Sequence, residues 1–435
     1  MKITVVALGK IGLPLAVQFA RSGHQVIGAD VNQDTVDTVN KGVAPFPGEA
    51  HLDDYLAEVI ADGRLQATTD TAAAVRESQA VVVVVPLFVD DEGTPDFGWM
   101  DDATKSIAAG LQPGTLVSYE TTLPVGTTRN RFGPMLAAGS GLQPGADFSL
   151  VFSPERVLTG RVFADLRTYP KLVGGVDAAS TAAGVQFYQD VLQFDERPDL
   201  SQGNGVWDLG TAEASELAKL AETTYRDVNI GLANQFARFA DANGIDVDLV
   251  IEACNSQPFS HIHSPGIAVG GHCIPIYPRF YLWNDPQATI VRAAREANAG
   301  MPNYAVDLLA QVHGSLAGQR VAVLGASYRG GVKETAFSGV FSTVASLKDA
   351  GAEVVVHDPM YTDEELRSLG FTPYTLGEAI DAAVVQADHV SYRDLVATDL
   401  PARTILDGRR VLAADRFPQA TVLALGQGAT SPSAG

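Results

Sequence analysis

A cysteine in a glycine-rich loop is the residue of this chain with the clearest chemical potential. Cys273 lies in the run PGIAVGGHCIP, residues 265–275, which has too many glycines for a helix or strand and lets a ligand approach the backbone. A thiolate is a strong nucleophile, although a free cysteine with a pKa near ~8.5 is only partly ionised at neutral pH. The other cysteine, Cys254, follows the helical pattern of Val250 and Ile251 and is predicted to be a small buried hydrophobic residue.

Two charged residues could support chemistry at such a thiol. Lys219 lies in the helical sequence LAKLAE, where it is either a solvated side chain or a cation that faces a site. In a site its ammonium would stabilise a thiolate or an oxyanion. Glu155 follows a strand-like run that ends at Phe152, and α/β sheets place their chemistry at such carboxyl ends. The alternative for Glu155 is an ordinary charge at a helix N-terminus.

A short loop near the N-terminus predicts a dinucleotide-binding site. The sequence ALGKIG, residues 7–12, follows a strand-like run and precedes a helical pattern, and Asp30 ends the next strand. Glycines in this context let the backbone approach a pyrophosphate, and the acidic residue accepts hydrogen bonds from a ribose diol, which favours NAD over NADP. The alternative is an ordinary turn, because Ala7 replaces the usual first glycine. Ala7 fits the loop if its φ is negative.

The pattern of strand-like and helical runs that must position these residues predicts two doubly wound α/β domains on either side of a helical central region. Strand-like runs separated by helix-length intervals indicate a largely parallel sheet over residues 1–205, the NAD-binding Rossmann-type domain. A central region, 206–316, contains one long helix over 211–243 and the cysteine loop. A second Rossmann-like domain follows at 317–425, and residues 426–435 are predicted to be a disordered tail.

The charge balance and the cysteine count limit the possible partners and location. A net charge of −21 opposes binding to nucleic acid or to an anionic membrane surface, so a phosphorylated ligand needs local basic groups. Two cysteines in 435 residues fit a reducing, cytoplasmic location. No apolar run approaches the ~20 residues that span a bilayer. The long helix carries more apolar side chains than one domain would cover, which predicts a homodimer.

Five motifs together resemble one enzyme family. They are GKIGLP at 9–14, ETTLPVGT at 120–127, SPERVL at 153–158, AKL at 218–220 and GGHCIP at 270–275. Their order and spacing resemble the UDP-glucose/GDP-mannose dehydrogenase family, the nucleotide-sugar 6-dehydrogenases, over nearly the whole chain. The sequences HDP at 357–359 and LDGR at 406–409 resemble that family's UDP-binding domain. The PERVL stretch favours the branch that acts on UDP-N-acetylhexosamines.

The resemblance implies an NAD-dependent, four-electron oxidation of C6 of a UDP-sugar through a thiohemiacetal and a thioester on Cys273. It implies that Lys219 offsets oxyanion charge and that Glu155 is the general base for hydrolysis. The catalytic set is Cys273, Lys219, Glu155, Thr122, which helps to hold the water, and Thr223. The cofactor set is Gly9, Lys10, Ile11, Gly12, Asp30, Pro86 and Thr122. The substrate set is Glu155, Arg156, Val157, Lys219, Gly270, Arg329 and Lys333, and no metal is expected.

Two positions depart from the family pattern and leave alternatives open. Thr223 stands where the family has an asparagine that donates to the oxyanion, and Tyr277 stands where it has an aspartate that assists water and lysine. The loss of an oxyanion donor and of a general-base partner would each slow the hydrolytic half of the reaction. One alternative is a two-electron dehydrogenase that uses Lys219 without thioester chemistry. The other is a catalytically silent sugar-nucleotide-binding protein, although it would have no chemical reason to retain Cys273, Lys219 and Glu155.

Overall fold

The computed structural model describes residues 1–90, 93–271 and 273–427. Its internal contacts divide the chain into two compact units, Met1–Glu222 and Thr223–Gly435. The first unit therefore contains the whole predicted NAD-binding domain, and the second contains the predicted UDP-sugar domain. The separate central domain, with boundaries after residues 205 and 316, stays a prediction.

The first unit is built around an eight-stranded sheet. Besides a separate antiparallel hairpin, β5 (Phe88–Val89) and β6 (Pro95–Asp96), the unit contains the eight strands of this sheet: β1 (Lys2–Val6), β2 (Gln25–Ala29), β3 (Leu65–Thr68), β4 (Ala80–Val83), β7 (Leu116–Tyr119), β8 (Ser149–Phe152), β9 (Lys171–Gly175) and β10 (Val206–Thr211). Its helices are α1 (Gly12–Arg21), α2 (Gln33–Asn40), α3 (Leu52–Ala61), α4 (Thr71–Arg76), α5 (Gly98–Gly110), α6 (Gly133–Ser140), α7 (Val162–Thr168) and α8 (Ala178–Val191). A π-helical turn, Thr128–Phe132, leads into α6.

The order of strands in this sheet is β10-β9-β8-β7-β4-β1-β2-β3. The central strands are almost entirely buried, as their runs of valine and isoleucine predict for a sheet covered on both faces. The predicted parallel sheet is confirmed with one exception: β9 runs antiparallel to β8, with Val151 opposite Gly175 and Phe152 opposite Gly174. The connection from β8 to β9, residues 153–170, contains α7 and is long enough for either strand direction, and no hydrophobic pattern distinguishes an antiparallel strand from a parallel one.

The second unit contains a five-stranded parallel sheet in the order β12-β11-β13-β14-β15. Its strands are β11 (Arg320–Leu324), β12 (Glu353–His357), β13 (Ala382–Val385), β14 (Thr404–Asp407) and β15 (Thr421–Ala424). Its helices after the unit boundary are α10 (Val247–Asn255), α11 (Tyr277–Asn284), α12 (Thr289–Ala299), α13 (Met301–His313), α14 (Val340–Asp349) and α15 (Asp363–Ser368), with 3-10 turns at Val390–Asp394 and Ala414–Arg416. Val321 and Val323 enter one hydrophobic cluster and Ala322 and Leu324 another, so both faces of β11 are covered.

One 32-residue helix, α9 (Ala212–Asn243), contains the boundary between the units. Its predicted extent is therefore correct to within one residue. The helix ends at Gly244, whose φ of +65° is the left-handed conformation that glycine supplies after a helix.

Two smaller predictions need correction. Cys254 in α10 is partly exposed rather than buried. Gly426, predicted to begin the disordered tail, is packed: its carbonyl accepts a hydrogen bond from Val247 N at 2.7 Å, and a Cβ at Gly426 would meet Val247 Cγ1. The rest of the predicted tail, from residue 428, lies outside the described residues. Across the described ranges, no helix combines the length and apolar composition needed to cross a membrane.

Candidate active site

The loop between β1 and α1 has the geometry of a backbone cradle. Ala7 donates its N–H to Ala29 O at 2.8 Å and has a φ of +76°. The condition of a negative φ is therefore not met, and alanine occupies the left-handed conformation that glycine would adopt at lower cost. A Cβ on Gly12 would lie 1.9 Å from Ala7 O, whereas a Cβ on Gly9 would meet no atom within 4 Å. Gly12 is thus required by the protein itself, and Gly9 leaves open space for a ligand.

The predicted ribose-binding carboxylate lies beside this loop. Asp30 accepts Leu8 N at 2.7 Å through Oδ2 and Asn32 N at 2.9 Å through Oδ1, and its side chain remains partly exposed. Lys10 is exposed and Ile11 is half-buried. An accessible carboxylate, an open glycine and the start of α1 fit a bound dinucleotide, so the residues present suit NAD.

Two further cofactor candidates lie after the neighbouring strands. Pro86 is exposed beyond β4, the strand next to β1, and Thr122 is buried beyond β7. Thr121 Oγ1 donates to Val85 O at 2.7 Å, which ties these two segments together at the carboxyl edge of the sheet. The structure thus brings both candidates to the sheet edge where the Ala7–Gly12 loop lies.

Glu155 belongs to a buried cluster of charges, hereafter the lysine cluster: Glu120, Glu155, Lys171 and Tyr188. Lys171 Nζ lies 2.6 Å from Glu120 Oε2 and 3.1 Å from Glu155 Oε2. Glu120 Oε1 accepts the Tyr188 hydroxyl at 2.6 Å, and Glu155 Oε1 accepts its neighbours' backbone groups, Arg156 N at 2.6 Å and Val157 N at 3.2 Å. Each carboxylate therefore uses one oxygen for the ammonium and the other for a separate donor.

Burial acts on the two carboxyl groups of the lysine cluster to different effect. Burial raises the pKa of Glu120 to about 7, against the opposing attraction of Lys171. Burial also acts to raise the pKa of Glu155, but the Lys171 charge and the backbone N–H of Arg156 outweigh it and lower this pKa. Burial would lower the pKa of Lys171, but the two carboxylates raise it. Lys171 is thus held as a cation, and Glu120 is the carboxyl that titrates near neutrality.

Lys219 lies on α9 between Glu216 and Glu222, two residues that bind other segments of the first unit through hydrogen bonds. One turn before it, Glu216 accepts Gly126 N at 2.5 Å and both the N–H and hydroxyl of Thr128, at 2.9 and 2.7 Å. Burial raises the pKa of Glu216 to about 7 against these hydrogen bonds. Three residues after Lys219, Glu222 accepts Arg156 Nε at 2.9 Å. Lys219 is almost fully buried, so the solvated alternative does not hold, and it lies one turn before the buried Thr223.

In the second unit, Cys273 is exposed in the loop four residues before α11 begins at Tyr277. Its carbonyl accepts Tyr277 N at 2.9 Å, which starts the helix, and the Tyr277 ring stacks on Phe280 with centroids 5.8 Å apart. The glycines before it allow close packing: a Cβ on Gly270 would lie 2.7 Å from Tyr328 Cβ. The cysteine loop therefore rests on the segment that carries the predicted phosphate ligands.

Those predicted phosphate ligands have different surroundings. Arg329 is exposed and its Nε donates to the Tyr328 hydroxyl at 3.2 Å. Lys333 forms an exposed ion pair with Glu365, with Nζ and Oε1 2.6 Å apart. Arg409, a third cation, is 27% exposed and lies 3.3 Å from Asp388, beside Gly266 of the cysteine loop.

Each unit holds its own part of the predicted site. The cofactor loop, Thr122, Glu155 and Lys219 belong to the first unit, and Thr223, Gly270, Cys273, Arg329 and Lys333 belong to the second. Sequence reasoning missed Glu120, Lys171 and Glu216. A signal for the first two was present, since each is a charged residue at an end of an otherwise apolar strand run.

Comparison with known protein families matches three consecutive models across the chain. Residues 1–192 match the NAD binding domain of the UDP-glucose/GDP-mannose dehydrogenase family, residues 213–300 its central domain, and residues 322–414 its UDP binding domain.

Individual relatives extend over nearly the whole chain. A UDP-N-acetyl-D-mannosamine dehydrogenase from Pyrococcus horikoshii is 34% identical, covering 95% of this chain and 96% of that protein. An NDP-N-acetyl-D-galactosaminuronic acid dehydrogenase from Ralstonia nicotianae is 31% identical, covering 95% and 97%. The solved structure of UDP-D-ManNAc dehydrogenase from Pyrococcus horikoshii is similar with a TM-score of 0.87 and 30% identity, over 98% of this chain and 100% of that chain.

Proposed function

Since the chain belongs to the UDP-glucose/GDP-mannose dehydrogenase family and is an NAD-dependent nucleotide-sugar dehydrogenase, we propose that it oxidises C6 of a UDP-N-acetylhexosamine to a carboxylate. The observation that carries the proposal is Cys273, exposed on a glycine loop that rests on the segment of Tyr328 and Arg329. The choice of sugar follows the names of two relatives, the UDP-N-acetyl-D-mannosamine dehydrogenase from Pyrococcus horikoshii and the NDP-N-acetyl-D-galactosaminuronic acid dehydrogenase from Ralstonia nicotianae.

Cys273 is the proposed nucleophile. When bound, NAD⁺ would supply the hydride acceptor, one molecule for each of two successive oxidations. Between them the thiolate adds to the C6 aldehyde to form a thiohemiacetal, and the second oxidation converts this adduct to a thioester. The exposed position of Cys273 in the loop before α11 leaves the residue accessible for this addition.

Lys219 and two threonines are proposed to support the charged intermediates. The Lys219 ammonium offsets the oxyanion charge at C6, and burial of its side chain strengthens this interaction relative to water. Thr223, one helical turn later, offers a hydroxyl where the family pattern has an amide. Thr122 helps to hold the water that attacks the thioester.

Glu155 is proposed to accept a proton from that water. Its carboxylate is ionised at neutral pH, because Lys171 and two backbone N–H groups stabilise the charge. With no carboxylate at Tyr277, Glu155 has to perform this step without the aspartate of the family pattern. Arg156, Val157 and Gly270 are proposed to contact the sugar, and Arg329 and Lys333 the diphosphate.

We also propose that α9 helps to form a homodimer in the cytoplasm. Apolar side chains remain exposed on the second-unit part of this helix and on α10: Tyr225, Leu232, Phe236, Phe239, Leu249 and Val250. Burial of such a surface in a second copy would be favourable. Both cysteines are free, which fits a reducing compartment.

The test is to supply excess NAD⁺ with UDP-ManNAc, UDP-GlcNAc, UDP-glucose or GDP-mannose and to count NADH per sugar. We expect two NADH and an acid product from a UDP-N-acetylhexosamine. Cys273→Ser should abolish acid formation, and Cys254→Ser, the matched control, should retain it. One NADH with an aldehyde product would support the two-electron alternative, and binding without NADH would support a silent binding protein.

A further inference from the structure

The lysine cluster places one cation between two carboxylates in an almost dry environment. The exposed fractions are 5% for Lys171 and 11% for the Glu155 side chain, and Glu120 is fully buried. The ammonium lies 4.9 Å from the centre of the Tyr188 ring, and the Tyr188 hydroxyl also contacts Ser118 at 2.7 Å. Burial keeps this phenol neutral by raising its pKa well above 10. With both carboxyl groups ionised, the cluster carries one net negative charge.

The two carboxylates differ in their surroundings. Glu155 reaches a cavity that Arg156, Asp165 and Tyr169 also line, whereas Glu120 has no exposed surface. The nearby charged side chains have other partners: Arg156 pairs with Glu222, and Asp165 accepts Leu158 N at 3.0 Å and lies 3.3 Å from Arg161. Lys171 lines the same cavity, so Glu155 is the carboxylate of the cluster that can meet a water molecule, and Glu120 is the fully buried carboxylate whose ionisation changes the local charge.

We infer that Glu120 and Lys171 are positioning residues for Glu155: Lys171 holds its carboxylate in place, and the charge on Glu120 controls how readily it takes a proton from water. This inference rests on the proposed function. If Glu120 is protonated, a second proton on Glu155 leaves the buried Lys171 charge uncompensated. If Glu120 is ionised, the same proton neutralises the cluster, which is favourable in a medium of low polarity.

The hydrolytic step then balances as follows. Water forms a C–O bond to the thioester carbonyl and gives one proton to Glu155 Oε2 or Oε1. The C–S bond breaks, and the electron pair leaves with the Cys273 thiolate. Glu155 later releases its proton to solvent through the cavity, and no oxidant or reductant is consumed.

The experiment separates hydrolysis from hydride transfer in single turnovers between pH 5.5 and 8.5. NADH absorbance follows hydride transfer, and chemical quenching with chromatography follows the acid product. In the unmodified enzyme we expect acid release to accelerate about tenfold as Glu120 ionises near pH 7. Glu120→Gln, which cannot ionise, should lose this rise and keep the slow rate of low pH, with hydride transfer affected less than acid release.

Two further variants keep the inference testable if Glu120→Gln folds poorly. Tyr188→Phe removes a hydrogen bond that favours ionised Glu120, so the rise in acid release should move to higher pH and keep its size. Lys171→Met should slow acid release about 100-fold, and Lys171→Arg should restore most of it.

The inference is overturned if Glu120→Gln keeps the pH-dependent rise, or if it slows hydride transfer and acid release by the same factor. A yield of one NADH without acid from the unmodified enzyme would overturn the proposed function as well. Two NADH with an unchanged Glu120→Gln profile would overturn the inference alone.

Discussion

The two α/β units differ in the loop that connects the first strand of the sheet to the next helix. In the first unit the helix α1 starts at Gly12, shortly after β1 ends at Val6. In the second, residues 325–339 separate β11 from α14. The short loop brings backbone groups and the helix start to one place, which suits a pyrophosphate. The long loop instead presents side chains, including Tyr328, Arg329 and Lys333, and supports the cysteine loop.

The two units also differ in the carboxylate that follows the second strand of each sheet. Asp30 accepts two backbone N–H groups and keeps accessible surface. Asp358 is 3% exposed, and it accepts Ala326 N, Ser327 N and His389 Nε2 through Oδ2 and Met360 N through Oδ1. Burial would raise the pKa of Asp358, but His389 and these N–H donors lower it. One carboxylate is available to a ligand, and the other is fully used within the protein.

The largest expected effect comes from Gly12→Ala. Its Cβ would lie 1.9 Å from Ala7 O, a backbone atom that cannot move without opening the turn. We expect a loss of about 3 kcal/mol in the free energy of unfolding, measured by denaturant titration, and loss of NAD binding. Gly9→Ala is the matched control: it should leave the stability within about 1 kcal/mol and still weaken NAD binding about tenfold. An unchanged NAD affinity in the Gly9→Ala variant would contradict the proposal that NAD binds against the backbone at Gly9.

The next effect contrasts Asp358→Asn with Asp30→Asn. The amide at position 358 would direct N–H groups at existing donors in a buried site, costing about 2–3 kcal/mol of unfolding free energy. The amide at position 30 should cost under about 1.5 kcal/mol but weaken NAD binding about tenfold. Denaturant unfolding and a fluorescence titration with NADH measure the two quantities. Equal stability losses would remove the proposed distinction between the units.

The smallest effect is a gain in stability from Ala7→Gly. Because Ala7 has a φ of +76°, glycine should relieve backbone strain and add up to about 1 kcal/mol, after the larger unfolded-state entropy of glycine is included. The helical control Ala137→Gly, in α6, should instead lose about 1 kcal/mol. Thermal unfolding distinguishes these signs. If Ala7→Gly is destabilising, the turn is not strained.

Much of the fold followed from local patterns, and much of the site did not. The extents of α9 and β11 were predictable because apolar spacing and terminal glycines act within a few residues. The positive φ of Ala7 was not predictable, since no residue type or spacing in the local sequence marks it. Lys171 and Glu120 are 51 residues apart in the chain, and only strand pairing brings them into contact. The family resemblance predicted roles for residues such as Glu155 but carried no information about the charges that surround them.

The reversed direction of β9 determines where the cation of the lysine cluster lies. Lys171 is the first residue of that strand, and because β9 runs against β8, its beginning faces the edge at which β7 and β8 finish. Were this strand aligned with its neighbour, the same amino acid would sit at the opposite rim of the sheet, roughly four residues or about 13 Å away. A design that places the Lys171, Glu155 and Glu120 cluster in another doubly wound protein would therefore need an antiparallel strand at this position as well as the two carboxylates.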